Sequence, residues 1–365
     1  MKWFEDFIRK FVFFLFRLFL RNEQVTLPLD STTIKKILIL RYDVLGDMIV
    51  TTPVFNLLKE KLPTTEIHVL GSKRNVGLLK HDKRISKILC YECTIWSLFK
   101  LGFIGRSEKY DLILPLVFYK TTNAGLWANW VGGRKSIKIG WSNPWRAHLY
   151  SALLNAQIPS LPNKMTMSEI QVKFICDCFG WDYNRDLVKL SIELGAENEQ
   201  YACDFYQVTK NYKRIIINIS ARENRILPEK NLRLLLKSFV ESYTNIFLFL
   251  NAVGEDLQKA NRLSEVCKEK IIVLPFSSDV LNLCALINQS DTVITPDTAI
   301  VHIAAAFDKP LIGLYPNSER ICKEWGPQHD KAILVVPDGD NYVSDIEFTS
   351  IIEAFTRLNK KYSIV

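Results

Sequence analysis

The sequence predicts an α/β protein built from two doubly wound domains. Short β-branched runs alternate with helical stretches in both halves of the chain, the signature of parallel sheets wound by helices. An irregular, charged stretch, Gly180 to Tyr212, separates the two series. The 365 residues are also more than one ordinary core requires. The reading divides the chain into an amphipathic helix and connector over 1–33, one α/β domain over 34–185 and a second over 186–365.

Residues 1–21, MKWFEDFIRKFVFFLFRLFLR, are dense in Phe and Leu, but Arg9, Lys10 and Arg17 interrupt the run, so no bilayer-spanning stretch is present in it. At about 100° per residue, Lys2, Glu5, Asp6, Arg9, Lys10, Arg17 and Arg21 fall on one side. Phe4, Phe7, Phe11, Phe14, Leu15 and Leu18 fill the opposite arc, while Phe13, Phe16 and Leu20 land among the charges. Basic flanks around an aromatic face suit a helix lying on an anionic membrane surface. A helix docked on the protein's own surface is the alternative, and a cleavable signal peptide is disfavoured by the short apolar stretch and the missing small-x-small site.

In the first domain the strands are expected at Lys36–Leu40, Glu66–Leu70, Asp111–Leu114 and Ser136–Ile139, with helices over Val50–Lys61 and Asn123–Val131. A helix from about Met165 to Phe179 leads out of it. In the second domain strands are expected at Arg214–Ile219, Ile246–Leu250, Lys270–Leu274, Thr292–Ile294 and Pro310–Leu314. Helices are expected near Glu229–Tyr243, Glu255–Glu269, Val280–Gln289 and Thr298–Phe307.

With 24% charged and 48% hydrophobic residues the chain has a folded protein's composition, and its net charge of +8 favours anionic partners without naming one. A basic stripe interleaved with aromatics is missing, so nucleic acid is not an expected partner. The cysteines Cys90, Cys93, Cys176 and Cys178 lack a second pair that would complete a zinc site and are read as small core residues. Neither G-x-G-x-x-G nor a P-loop occurs, which weighs against dinucleotide oxidoreductases and P-loop enzymes.

Three strand-turn-helix segments carry candidate chemistry. In Leu40-Arg41-Tyr42-Asp43-Val44-Leu45-Gly46-Asp47, Asp47 stands at a helix start and is either a general base or an ordinary capping carboxylate. Asn218 to Glu229 leaves a strand through a loop with Ser220, Arg222 and Arg225, with Pro228 suited to the first helical turn. Its hydroxyl and guanidinium groups suit a diphosphate, or are solvated surface arginines. Thr295 to Ala306 places Thr298 and Ala299 at a helix N-terminus, a ready anion site. Asp297 either caps that helix or bonds a sugar hydroxyl, and His302 either braces the loop or touches phosphate.

Together these segments resemble glycosyltransferase family 9, the ADP-heptose:lipopolysaccharide heptosyltransferases. The matches are Gly46-Asp47 with Pro53, Arg225 ahead of Leu227-Pro228, and Asp297-Thr298-Ala299-x-x-His302 followed by Ala304-Ala305-Ala306, in order from about Lys35 to Pro327 and including Ile139-Gly140-Trp141. The resemblance implies a GT-B fold, two Rossmann-like domains facing a central cleft, with acceptor binding in the first and nucleotide-sugar binding in the second. It implies inverting transfer with no obligatory metal and no cofactor.

By motif position Asp47 is the implied catalytic base. Ser220, Arg225, Asp297, Thr298, Ala299 and His302, together with Glu255, are the implied donor site. Gly46, Lys120, Arg134 and Arg146 are the candidates for the acceptor, a lipid-linked saccharide, with Lys100, Lys135 and Lys138 as further basic candidates. An anionic membrane surface is the third expected partner, with the enzyme peripheral on the inner, cytoplasmic face of that membrane. The chain departs from the family pattern with Arg225 in place of lysine, and with Ala221 and Ala299 in place of threonine and glycine. Those departures keep open a second reading, a non-catalytic nucleotide-sugar binder or assembly protein of the same fold.

Overall fold

The computed structural model describes the chain except residues 1–9, 13, 17, 21, 93, 118–120, 143–150, 160–164, 223–224, 328 and 340–341. Two compact units emerge: Met1–Pro162 with Ser168–Lys189, and Asn163–Met167 with Leu190–Val365.

The N-terminal unit holds strands β1 (Lys36–Leu40), β2 (Glu66–Ser72), β3 (Lys87–Tyr91), β4 (Leu112–Pro115), β5 (Ile137–Trp141) and β6 (Ala156–Ile158). Its helices are α1 (Leu45–Ile49), α2 (Thr52–Lys61), α3 (Ile95–Glu108), α4 (Thr121–Gly132) and α5 (Met167–Phe179). The sheet order is β3-β2-β1-β4-β5-β6, with every pairing parallel. Strand β1, KILIL, is apolar on both faces because helices cover both; Ile37, Leu38, Ile39 and Leu40 are all fully buried. Its neighbours β2 and β4 lie on opposite sides, so the chain reverses its winding between β1 and β4. That is the switch point at which open α/β sheets leave a crevice at their carboxyl ends.

The C-terminal unit repeats the topology with β7 (Lys213–Asn218), β8 (Ile246–Asn251), β9 (Ile271–Val273), β10 (Thr292–Pro296), β11 (Leu311–Leu314) and β12 (Ala332–Val335), in the order β12-β11-β10-β7-β8-β9. Its helices are α6 (Ala196–Phe205), α7 (Glu229–Ser242), α8 (Asp256–Ser264), α9 (Val280–Asn288), α10 (Ala299–Ala306), α11 (Glu319–Trp325) and α12 (Phe348–Tyr362). One core joins Ile215 and Ile217 of β7, Leu235 and Phe239 of α7 and Phe355 of α12. The switch point here lies between β7 and β10, which pair in parallel with Ile294 opposite Ile217.

Several elements differ from expectation. Strands β3, β6 and β12 and helices α3, α6, α11 and α12 were not anticipated, and the expected irregular stretch contains α6, which buries only Asn198 and Ala202. Pro228 is the N-cap of α7, one residue ahead of the predicted first turn. The described part of residues 10–20 is helical. Phe16 and Leu20, predicted to fall among the charges, are the side chains that pack on Leu153 and Leu154, while Phe11, Phe14 and Leu18 stay exposed. The docked-helix reading thus describes one face of this segment and leaves the predicted apolar face outward.

The following connector is fastened down. Asn22 Nδ2 donates to Asn129 Oδ1 at 2.8 Å and to the Ala152 carbonyl at 2.9 Å, and Asn155 Nδ2 donates to the Glu23 carbonyl at 2.7 Å.

Among the described residues no helix is long and apolar enough to cross a membrane, and no cluster of His, Cys, Asp or Glu has the makings of a metal site. Cys176 and Cys178 are buried on α5, and burial pushes the Cys176 thiol up to about 11.

Candidate functional site

In the N-terminal unit the chain leaves β1 directly into Arg41, whose side chain has no exposed surface. A buried guanidinium cannot shed its charge, so its surroundings must supply acceptors. They do: Nε donates to the Asp47 carbonyl at 2.9 Å, Nη2 to Asp47 Oδ1 at 3.1 Å, and Nη1 to Asp43 Oδ2 at 3.0 Å and to the Leu116 carbonyl. Leu116 follows β4, so Arg41 ties together the two strand ends that flank the switch point.

Asp47 is the third residue of the short helix α1. Its Oδ2 also accepts the Val44 N–H, at a long 3.4 Å, and its carbonyl accepts the Thr51 hydroxyl at 2.8 Å. The capping role is therefore present but weak, and the ion pair with Arg41 dominates. The Asp47 side chain keeps 14% of its surface in solvent. Burial pushes the Asp43 carboxyl up to about 6, with Arg41 opposing and the neighbouring Asp47 charge reinforcing the rise. Beside it the Tyr42 hydroxyl is buried, and burial raises its pKa; the ring stacks edge-on to Tyr91 at 6.0 Å.

In the C-terminal unit three loops meet at the carboxyl ends of β7, β8 and β10, knitted by Asn218. Its Nδ2 lies 3.0 Å from the Ser220 carbonyl, 3.0 Å from Thr295 Oγ1 and 3.3 Å from Thr298 Oγ1, and its Oδ1 accepts from Asn251 Nδ2 at 2.9 Å. Ser220 Oγ accepts the Val253 N–H at 2.9 Å, which leaves its own proton to donate.

Thr298 caps α10, its hydroxyl accepting the Ile300 N–H at 3.3 Å. Asp297 caps nothing. Its carboxylate is paired with Arg225, whose Nη1 reaches both Asp297 Oδ2 and, at 2.9 Å, the Asp297 carbonyl. Asp297 is the buried member, 7% exposed, and burial raises its pKa against the pull of Arg225 and Arg222; Arg225 is 30% exposed. Among the described residues only Nη1 of Arg225 is engaged, which leaves Nε and Nη2 as donors for an anion.

Among the donor-site candidates, Ser220, Arg225, Asp297, Thr298 and Ala299 gather at the switch point of their sheet. His302 is buried on α10, its ring 6.3 Å from that of Trp325. Glu255 is exposed at the start of α8, on the loop that Val253 ties to Ser220.

Of the acceptor candidates, Gly46 lies on α1 beside Asp47, and Lys120 and Arg146 fall outside the described residues. Arg134 precedes the amino end of β5, at the opposite end of a parallel sheet from Asp47, and donates to the Phe19 carbonyl at 3.1 Å. Lys138 is fully buried and donates to Asn22 Oδ1 at 3.0 Å and to the Ser136 carbonyl at 2.8 Å, with its pKa lowered by burial to about 8. It anchors the connector and meets no acceptor phosphate. Sequence reasoning gave no role to Arg41 or Asn218. Each follows or ends an apolar strand as its first buried polar residue, and that position was the available signal.

The family model for glycosyltransferase family 9 (heptosyltransferase) matches residues 126–343, more than half of the chain. The protein belongs to that family. A protein of Escherichia coli K12 provisionally named lipopolysaccharide heptosyltransferase 4 is 26% identical, covering 96% of this chain and 93% of its own. Lipopolysaccharide heptosyltransferase 1 of Campylobacter coli is 24% identical over 77% of this chain and 83% of its own. The solved structure of E. coli ADP-heptose LPS heptosyltransferase II superimposes with a TM-score of 0.73 at 20% identity, covering 90% of this chain and 99% of that one, which establishes the GT-B fold class. The matched family segment contains Ser220, Arg225, Asp297 and Thr298 but begins after Asp47.

Proposed function

We propose that this family member is an inverting glycosyltransferase that moves a heptose from an ADP-heptose-like donor to the core saccharide of a lipopolysaccharide or a related lipid-linked acceptor, without a metal or an organic cofactor. The donor diphosphate rests on the C-terminal unit, against Nε and Nη2 of Arg225, the Ser220 hydroxyl and the free N–H groups at the start of α10. An acceptor hydroxyl oxygen bonds to the anomeric carbon from the face opposite the diphosphate. Asp47 takes the hydroxyl proton as the carbon–oxygen bond to the diphosphate breaks, and the bonding pair leaves with the nucleoside diphosphate. Arg225 and the α10 dipole stabilise the charge that develops there. The single inversion follows from a single displacement. The acceptor's lipid anchor and the basic, aromatic N-terminal segment together put the enzyme on the inner face of the cytoplasmic membrane.

The observation that carries this reading is the exposed guanidinium of Arg225, fixed by a buried aspartate beside a helix N-terminus at a switch point. Such an arrangement is suited to a diphosphate. The test is transfer from ADP-heptose to a de-acylated lipopolysaccharide core. Asp47→Asn should lower turnover about 10²–10⁴-fold with donor affinity retained. Undiminished turnover removes Asp47 from the base role, and donor binding by the wild type without any transfer or hydrolysis favours the non-catalytic binder.

A further inference from the structure

Helix α3 buries Leu101 and packs Ile104 on the core of its unit, but it also carries large apolar residues outward. A helix packed on a sheet normally turns its large apolar residues inward, yet Trp96 is 85% and Phe103 80% exposed, with Phe99 on the same i, i+3, i+7 stripe. Inward, against α4, it presents Gly102 and Gly105: a Cβ on the first would lie 2.4 Å from Trp130 Nε1, and on the second 2.0 Å from Val131 Cγ1. The glycines bring the two helices together and leave the aromatics in water. Between α3, α4 and Leu20 of the N-terminal segment opens a groove of about 800 Å³, walled by Tyr91, Phe99, Leu126, Trp127 and Trp130. Phe11, Phe14 and Leu18 extend the exposed apolar surface on the segment that Leu20 docks. So large an outward aromatic surface on one unit marks an interaction face.

The charge around it selects the partner. Lys100, Arg106, Arg134 and Lys135 are exposed, with Arg106 over the Trp130 ring at 4.9 Å and Arg134 bonded to the Phe19 carbonyl. Glu92, just before α3, pairs with Lys73 at 3.5 Å, and Glu108, at its end, with Lys36 at 2.9 Å. A second copy of the chain would set this cationic rim against itself in a two-fold contact. An anionic bilayer accepts both the aromatics and the cations.

We infer that α3 is a second membrane-binding element, inserting Trp96, Phe99 and Phe103 into the interfacial region of an anionic bilayer beside the N-terminal segment. The inference rests on the peripheral location proposed above but not on the transfer step. The aromatic contacts Trp127–Tyr91 at 4.8 Å and Tyr91–Tyr42 at 6.0 Å run from this groove to the loop that carries Asp47. A bilayer held there presents lipid-linked saccharides beside that loop.

The test uses the full chain with unilamellar vesicles of phosphatidylcholine containing phosphatidylglycerol. The triple variant Trp96→Ser/Phe99→Ser/Phe103→Ser should lower vesicle partitioning at least about tenfold. Its thermal unfolding midpoint and its affinity for ADP should match the wild type, because none of the three side chains supports the core. Brominated phosphatidylglycerol should quench tryptophan fluorescence in the wild type and less in Trp96→Phe. Unchanged partitioning of the triple variant overturns the inference. So does loss of lipid-free self-association, measured by sedimentation velocity, with vesicle binding intact; that outcome assigns the face to a second copy. Failure of ADP to bind a wild type that still partitions would instead overturn the proposed donor site and leave α3's role standing.

Discussion

The two switch points carry the same pair of residue types with the burial reversed. In the N-terminal unit the arginine is sealed in and the carboxylates of Asp43 and Asp47 reach the surface. In the C-terminal unit Asp297 is sealed in and the Arg225 guanidinium reaches the surface. The buried member of each pair holds the exposed member in place, so one loop presents carboxylates to solvent and the other a guanidinium. The lesson is that a buried ion pair at a strand end is best read by asking which partner it leaves outside.

The sharpest way to break this comparison is at Arg41. Removing it as Arg41→Met strips Asp43, Asp47 and the Leu116 carbonyl of their shared donor at once, and should destabilise the N-terminal unit by about 3–5 kcal/mol in urea unfolding. A loss below about 1 kcal/mol would mean that the loop does not depend on it. Next is Asn218, which ties three loops in the C-terminal unit. Asn218→Ala should cost about 1–3 kcal/mol and weaken ADP binding by loosening Ser220 and Thr298 together, as calorimetry with ADP would register. Stability loss with unchanged ADP affinity would separate the knitting from the ligand site.

A pH-dependent effect belongs to Asp43. Its folded pKa of about 6 lies above the ordinary 3.8, so the folded state holds the proton more tightly. Below about pH 4 both states are protonated and the group costs nothing; stability is lost as pH rises from about 4 to about 6 and stays lost above. Asp43→Asn should remove that slope, and the difference between the two unfolding curves should change by about 3 kcal/mol across this window. Parallel curves would show that Asp43 does not titrate there.

Much of the architecture was legible because buried strands are nearly pure β-branched and leucine runs; β1 falls at its expected residues, Lys36–Leu40. What escaped was short or atypical. Strand β6 has three residues, and β3 buries only Leu89 at the sheet edge. Helix α3 lacks a clean periodic apolar face because Gly102 and Gly105 share its inward side with Leu101 and Ile104, while Trp96, Phe99 and Phe103 face outward. At the sites, residue types were legible but their pairings were not. The sequence leaves Asp297 as either a helix cap or a partner of a sugar hydroxyl, and its pairing with Arg225, 72 residues away, is not legible there. Lys138 read as a cation for phosphates, although the fold buries it to hold Asn22, 116 residues distant. Arg41 drew no role from the sequence, since nothing local announces that the Leu116 carbonyl arrives from β4.

The division of labour between the two loops is tested most directly by calorimetric titration of ADP into Arg225→Met and Asp47→Asn side by side with the wild type. The account predicts about 10- to 100-fold weaker binding for Arg225→Met and wild-type affinity for Asp47→Asn. Full affinity in Arg225→Met, with the loss appearing in Asp47→Asn instead, would contradict it.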